Sequence, residues 1–303
     1  MEGIKYFVRG IARSIIRGSR VSWFDSNFKI RQIPFINKFF VRDADIVIAN
    51  HWPVAHPVYK SPSSKGEKHY FIRDVEQWAT YYENEVEAFK LNMKRLVVAE
   101  WIKDYLQENL NLDVEQVITN GFNFKNFAIY KKRYNYDDCV ISMIYSSHPM
   151  KAAHDGIKVL REVKKKHPKK ILLFGFEAMP KNLNFEFEYI RRAQGDKVLQ
   201  IYEMTDIFFC PSIQEGFHNP PSEAMAAKCA VVATSVGSVP KTINNMTNGI
   251  SVEPRDTSSM IKYIDLLIKN RDLRISLAEA GHESIKNLTW DESINKLDNI
   301  FSS

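Results

Sequence analysis

The clearest signature of a fold is in the segment CPSIQEGFHNPPSEAMAAKCAVVATSVGSVP (210–240). It follows an apolar strand that ends at Phe209, continues as the loop EGFH (215–218), and then opens a short helix at NPP (219–221), with Asn219 as the predicted N-cap. Proline just after a polar cap is typical of a helix N-terminus, where unpaired N–H groups and the helix dipole attract an anion. Because open α/β sheets bind ligands at the carboxyl ends of their strands, the stretch predicts a diphosphate site.

Alternating strands and helices extend outward from this stretch in both directions. Near-continuous apolar strands with helices between them are typical of parallel sheets that are covered on both faces. The basic, tyrosine-rich segment KNFAIYKKRYNYDD (125–138) separates two such series and is interpreted as a linker. The predicted strands are IVIAN (46–50), HYFIRD (69–74), RLVVAE (95–100), VITNG (117–121), CVISMIYSS (139–147), ILLFGF (171–176), DIFFCPS (206–212), AVVATS (230–235) and GISVEP (249–254).

The composition is that of an ordinary globular protein large enough for two domains. Of 303 residues, 45% are hydrophobic and 26% are charged, which argues against a disordered or fibrous chain. Three cysteines without a CxxC pair argue against a disulfide framework and favour a reducing compartment. Basic residues interrupt any apolar signal-peptide region in the start, MEGIKYFVRGIARS, and no uncharged apolar stretch approaches the length of a membrane span. The sequence therefore predicts a cytoplasmic protein without a signal peptide or a spanning helix.

The net charge of +6 is concentrated at one end of the chain. Residues 1–40 contain eight basic and two acidic side chains, so the rest of the chain sums to zero. Residues 1–20 have two readings: an amphipathic helix lying on an anionic membrane, which would make the protein peripheral on the inner face, or a first strand (IKYFV, 4–8) followed by a helix. A basic patch attracts phospholipid or nucleic acid without selecting between them.

EGFHNPPSEAMA (215–226) resembles the E-x7-E motif of retaining GT-B glycosyltransferases of the family 4 type. Four other segments resemble that family in the family's order, and together the resemblance covers residues 95–303. They are TNGFNFKNF (119–127), HPMKAAHDGIKVL (148–160), VGSVPKTINNMTNGISVEPRD (236–256) and LTWDESINKL (288–297).

The resemblance implies a GT-B fold with two Rossmann-like domains that face a central cleft. Residues 1–135 would form a shortened acceptor-side domain, and residues 136–287 would bind the nucleotide-sugar. Residues 288–303 would cross back and complete the first domain.

The resemblance also assigns roles to individual residues. Glu223 would bind the ribose hydroxyls, Glu215 would lie against the transferred sugar, and Lys151 would bind the diphosphate. His148 stands where the family has a second diphosphate-binding cation, an arginine. Gly216 would let the backbone approach the donor closely, and the backbone N–H groups of three residues would contact its sugar and phosphate: Phe217, His218 and Asn219. The family needs no metal ion, so no cofactor is expected.

Each assignment has a plainer reading. Glu223 in a first helical turn would stabilise the helix dipole alone, and Glu215, Lys151 and the histidines could be solvated surface groups. The D-x-D sequence at Asp43 to Asp45 could bind a metal ion, but it precedes its strand, which favours a turn. Acceptor-side groups should follow the first strands, which nominates His51, Asp74 and Glu76.

The sequence therefore predicts a retaining, metal-independent glycosyltransferase that moves a sugar from a nucleotide-sugar to a hydroxyl of a glycan, polysaccharide or lipid-linked saccharide. One rival is a catalytically weak subunit that stabilises a partner transferase. A nucleic-acid-binding protein is disfavoured, because the sequence shows no defined RNA- or DNA-binding motif.

Overall fold

The structure, a computed structural model, describes residues 33, 36–128, 132 and 139–302. They divide into two compact units: unit 1 contains the residues up to Leu96 and Leu106–Gln116, and unit 2 contains Val97–Tyr105 and the residues from Val117 onward. Both readings of residues 1–20, and most of the predicted linker, lie outside the described residues. The predicted domain boundary at 135/136 stays a prediction.

Among the residues that the structure describes, the first sheet has four strands in sequence order. The strands are β1 (Ile46–Ala49), β2 (Glu67–Ile72), β3 (Lys94–Val97) and β4 (Gln116–Val117), and the helices between them are α1 (Trp52–Tyr59), α2 (Tyr82–Phe89) and α3 (Glu100–Leu110). β1 and β2 pair in parallel, with Ala49 opposite Tyr70. The α2 helix begins directly after Tyr81, its N-cap residue.

The second sheet has six strands in the order β10-β9-β8-β5-β6-β7, and all adjacent pairs are parallel. The strands are β5 (Val140–Ile144), β6 (Lys170–Gly175), β7 (Glu188–Arg191), β8 (Ile207–Cys210), β9 (Ala230–Thr234) and β10 (Ile250–Val252). The helices of this part of the chain are α4 (Phe124–Phe127), α5 (Ala153–Lys166), α6 (Asp196–Met204), α7 (Asn219–Ala226), α8 (Val239–Thr242), α9 (Thr257–Lys269), α10 (Arg271–Ser284) and α11 (Trp290–Phe301). The sequence analysis missed β7, an edge strand whose sequence, EYIR, is half-exposed and not apolar.

The apolar strands of the second sheet are buried on both faces, as their sequences predict. Along β5, Ile141 and Met143 pack into one hydrophobic cluster, and Val140 packs into the other. Fully buried strands β8 and β9 continue both clusters. The sheet is therefore a rigid platform for the loops at its carboxyl edge.

The last helix, α11, is anchored to the residues that follow β4. Ser293 Oγ donates a hydrogen bond to the Thr119 carbonyl at 2.6 Å. A Cβ on Gly121 would lie 2.3 Å from the Trp290 nitrogen, so glycine is required for this approach. The sequence correctly predicts the helix, while its crossing onto the first domain stays a prediction.

Within the part of the chain that the structure describes, the search for a helix with the length and apolar character of a membrane span finds none.

Candidate active site

The candidate site lies where the strand order of the second sheet changes direction. From β5 the chain proceeds through β6 and β7 on one side, and then returns to form β8, β9 and β10 on the other. The loops after β5 and β8 therefore leave the same edge of the sheet beside each other. This is the topological switch point at which open α/β sheets bind ligands.

Lys151 and Glu215 meet at this point, one from each loop. Lys151 ends a short 3₁₀ turn (Pro149–Lys151), and its Nζ lies 2.7 Å from Oε1 and 2.9 Å from Oε2 of Glu215. Ser212 Oγ donates a third hydrogen bond to Glu215 Oε1 at 2.7 Å. The plainer reading of Glu215 as a solvated loop carboxylate is wrong, because its side chain is only 12% exposed.

The charge of Glu215 is set by competition between burial and its neighbours. Burial opposes its ionisation, but the positive charges and the hydrogen bonds around the carboxylate outweigh burial and lower its pKa. The His218 ring makes the largest of the contributions that lower this pKa and Lys151 the next, and Lys151 also donates two hydrogen bonds to the carboxylate. A diphosphate that binds Lys151 must therefore compete with Glu215 for the ammonium group.

His218 is the N-cap residue of α7, and it takes a left-handed conformation with φ 79°. The prediction that Asn219 is the N-cap is wrong by one residue: the turn is made at His218, and Asn219 is already helical. The ring is buried, with Nε2 3.0 Å from Cys210 Sγ and 3.6 Å from Glu215 Oε1. Burial lowers the pKa of His218 to about 4, although the carboxylate of Glu215 opposes this shift.

Glu223 is the fifth residue of α7, so it lies beyond the first turn, and the reading as a simple dipole-stabilising charge fails. Its Oε2 accepts a hydrogen bond from the buried Tyr202 hydroxyl at 3.2 Å. Burial raises the pKa of Glu223, and the Tyr202 hydrogen bond only partly offsets this shift. Within the described chain this half-buried carboxylate has one hydrogen-bond partner, so it retains acceptor sites for a ligand.

The backbone before α7 provides donors for an anion. Within the described chain, the N–H groups of Phe217, His218 and Asn219 donate no hydrogen bond to another residue. The Phe217 carbonyl accepts from Ser238 N at 2.6 Å, next to Gly237, whose φ of 61° and close packing leave no room for a Cβ. The left-handed conformations are therefore at His218 and Gly237, and Gly216 is not among the glycines with positive φ.

His148 is exposed and lies on the loop that carries Lys151. Its Nδ1 accepts a hydrogen bond from the Met150 N–H at 3.3 Å. Nearby, the Glu177 carboxylate accepts from the Ser147 N–H at 2.9 and 3.0 Å, and this hydrogen bond, above all, lowers the pKa of Glu177. The loop is therefore held in place while the His148 ring stays accessible.

Trp101, at the start of α3, is a site residue that the sequence analysis missed. Its indole N–H donates to the Gly216 carbonyl at 2.8 Å. It also lines a cavity of about 230 Å³ whose other lining residues are Ile213, Gln214, Glu215, Ser235, Val236, Gly237 and Pro240. No local sequence signal could have joined two residues 115 positions apart.

The three acceptor-side candidates lie in unit 1, after β1 and β2, as predicted. His51 is exposed and precedes α1, while Asp74 Oδ1 accepts the N–H of Val75 at 2.8 Å. The Glu76 carboxylate accepts a hydrogen bond from the Tyr81 hydroxyl.

The D-x-D sequence takes the turn role that the sequence analysis favours. Asp43 Oδ1 accepts from Lys65 Nζ at 2.7 Å and from Ser64 Oγ at 2.9 Å, and β1 begins directly after Asp45. These hydrogen bonds, first the one from Lys65, lower the pKa of Asp43. Among the residues that the structure describes, no group of three or more His, Cys, Asp or Glu side chains could hold a metal ion.

Comparison with known proteins places this site in a family. The family model described as "Glycosyl transferases group 1" matches residues 125–284, more than half of the chain, including Lys151, Glu215 and Glu223. The chain belongs to this family. It is 28% identical over 209 residues to an uncharacterized glycosyltransferase of Methanocaldococcus jannaschii, a match that covers 66% of this chain and 57% of that protein.

The chain is also similar in sequence to a bacterial glycosyltransferase and in fold to a solved structure. The capsular polysaccharide biosynthesis glycosyltransferase CapM of Staphylococcus aureus is 24% identical over 251 residues, covering 75% of this chain and 65% of CapM. HepE of Anabaena, solved with UDP and glucose, has the same fold, with a TM-score of 0.73 and 15% identity over 86% of this chain and 78% of that chain. The fold is GT-B, as predicted. Both sequence matches span less than two thirds of the relative's length.

Proposed function

We propose that the protein is a retaining glycosyltransferase of the family 4 type that transfers a sugar from a nucleotide-sugar to a hydroxyl acceptor without a metal ion. The observation that carries the proposal is the Lys151–Glu215 pair at the switch point of the second sheet, beside the N-terminus of α7. A cation and free backbone N–H groups can neutralise a leaving diphosphate. HepE, a neighbour of the same fold, was solved with UDP and glucose.

In the proposed reaction, the acceptor oxygen bonds to the anomeric carbon while the bond from that carbon to the diphosphate oxygen breaks. The acceptor proton passes to the leaving phosphate, on the same face of the sugar, which preserves the anomeric configuration. Lys151 and the N–H groups before α7 stabilise the charge that develops on the leaving group. Glu215 lies against the transferred sugar, and Glu223 accepts hydrogen bonds from the ribose.

The acceptor is proposed to be a saccharide, free, polymeric or lipid-linked, bound through unit 1. CapM, a relative, is a capsular polysaccharide biosynthesis glycosyltransferase. His148, on the loop that carries Lys151, is proposed to be the second side chain that contacts the diphosphate.

Nucleotide binding by Glu223→Ala tests the donor side. We expect UDP or another nucleoside diphosphate to stabilise the wild type, by about 2.7 kcal/mol at 100 times its Kd. In the variant, binding measured by calorimetry should weaken at least about tenfold, because charge-assisted hydrogen bonds to ribose are worth about 1.5–3 kcal/mol each. Glu203→Ala, an exposed glutamate on α6, is the matched control.

Unchanged affinity in Glu223→Ala would refute the role of this residue. A wild type that binds no nucleoside diphosphate would favour the rival reading, a subunit that stabilises a partner transferase.

A further inference from the structure

Two stacked aromatic side chains lie at the carboxyl edge of the first sheet. Trp52 is the first residue of α1, directly after β1, and Tyr81 is the residue before α2. Their ring centroids are 5.4 Å apart and their planes are 28° from parallel. Both side chains are partly exposed, so they leave ring surface for a ligand.

Carboxylates from the segment after β2 join the aromatic pair. The Tyr81 hydroxyl donates to the Glu76 carboxylate, which ties the ring to the segment. Because β1 and β2 run in parallel, the segments that follow them begin at the same edge of the sheet. Asp74 belongs to the segment after β2. The edge therefore combines aromatic surface with hydrogen-bond acceptors.

A buried carboxyl group holds this arrangement in place. Glu85 Oε2 accepts the N–H of Glu76 at 2.8 Å from within α2. Burial raises the pKa of Glu85 to about 7. The hydrogen bond from the Glu76 N–H lowers this pKa, while the negative charges of Glu76 and Asp74 raise it further. The carboxylates of Asp74 and Glu76 beside Glu85 would repel an anionic ligand.

We propose that Trp52, Tyr81 and Glu76 form the acceptor subsite and that the subsite binds an uncharged pyranose ring. The C–H groups on one face of a pyranose are apolar and pack against an aromatic ring, while its hydroxyl groups donate charge-assisted hydrogen bonds to a carboxylate. This inference rests on the proposed function, because the function supplies the need for a hydroxyl acceptor. It adds that the group recognised here is neutral sugar and not a phosphate.

Fluorine NMR of protein labelled with 5-fluorotryptophan tests the subsite. The chain has five tryptophans, each assignable by replacement with phenylalanine: Trp23, Trp52, Trp78, Trp101 and Trp290. The probes are the methyl glycosides of glucose, galactose, rhamnose and N-acetylglucosamine, with glucosamine and glucuronate as charged comparisons. Titration to about 50 mM reaches the weak affinities expected of one ring, since a Kd of 1 mM is about −4.1 kcal/mol.

We expect at least one neutral glycoside to shift the Trp52 resonance and to leave that of Trp290, which is 51% exposed on α11, unchanged. Glu76→Gln should weaken this binding about tenfold, the loss that follows when a charged hydrogen-bond acceptor becomes neutral. Glu83→Ala, which removes an exposed carboxylate of α2, should leave the binding unchanged.

Two results would overturn the inference. One is a Trp52 resonance that no neutral glycoside shifts, and the other is a response to glucosamine or glucuronate alone. A UDP titration distinguishes failure of the subsite from failure of the proposed function. If UDP binds and no glycoside shifts the Trp52 resonance, the subsite assignment is wrong and the proposed donor binding stands. If glycosides shift Trp52 but no nucleotide binds, the assignment as an acceptor subsite fails.

Discussion

Lys151→Met removes the cation that faces Glu215 while keeping most of the side-chain volume. Lys151 contacts both carboxylate oxygens, at 2.7 and 2.9 Å, so the variant leaves Glu215 with the Ser212 hydroxyl as its remaining close donor. The carboxylate then loses the charge of the lysine and keeps the Ser212 hydroxyl and the His218 ring, 3.6 Å away, as neighbours that favour its ionised form. We expect the variant to unfold more readily than the wild type.

The size of the effect follows from the exposure of the two side chains. Removing one partner of a fully buried ion pair costs about 3–5 kcal/mol, whereas an exposed pair is worth about 0–1 kcal/mol. Glu215 is 12% exposed and Lys151 is 36% exposed, which places this pair between the two cases. We expect a loss of about 2 kcal/mol in the free energy of unfolding, or a fall in Tm of about 4–8 °C.

The loss should depend on pH in a defined direction. In the wild type the pKa of Glu215 is lowered, so its stabilising contribution is present above the pKa of an unfolded glutamate and is lost as the pH falls through the folded value. In Lys151→Met the carboxylate loses the charge and the hydrogen bonds of the lysine, so its pKa should be higher than in the wild type, and the variant should lose this contribution at a higher pH. The difference between the two proteins should be largest at neutral pH and shrink toward about pH 4.

Urea unfolding at neutral and at acid pH measures this difference, and Glu215→Gln provides the control. The double variant Lys151→Met/Glu215→Gln should recover most of the lost stability, because neither charge remains buried. It should still bind UDP poorly, because the diphosphate needs the lysine. The reasoning is refuted if Lys151→Met loses the same stability at both pH values, or if Glu215→Gln fails to restore it.

Three further predictions follow from other parts of the molecule. Trp101→Phe should lower the free energy of unfolding by about 1–3 kcal/mol, because the Gly216 carbonyl loses its donor; an equal loss in Trp290→Phe would contradict this. EDTA should leave the transfer rate, or the slow hydrolysis of the donor, unchanged, whereas a loss restored by Mn²⁺ would revive the metal reading of Asp43 and Asp45. If residues 1–20 form the membrane-surface helix, the wild type should sediment with anionic vesicles in low salt and be released by added salt, since charges are screened beyond about 8–10 Å. Glutamine at three arginines should then abolish this sedimentation: Arg9, Arg13 and Arg17. Equal sedimentation of that triple variant would exclude the surface-helix reading of residues 1–20.

The sequence by itself determined the features that depend on neighbouring residues. The apolar runs overlap nine of the ten described strands. In the second sheet they do so because a strand buried on both faces needs near-continuous apolar side chains. The tenth, β7, lies at the edge of its sheet, where one side is solvated and the pattern is weak. The EGFH loop and the helix after it were likewise predictable, because glycine and proline act locally, although the N-cap is His218 and not Asn219.

Tertiary structure alone decided which of these groups meet. Lys151 and Glu215 are 64 positions apart, and they form a pair only because β5 and β8 are neighbours in the sheet. Three other contacts also depend on which elements are neighbours in the fold. They are the Tyr202–Glu223 hydrogen bond, the Trp101–Gly216 hydrogen bond and the Trp52–Tyr81 ring stack. Contacts between distant segments depend on strand order and helix packing, which no local pattern encodes, and these contacts set the charge and accessibility of each functional group.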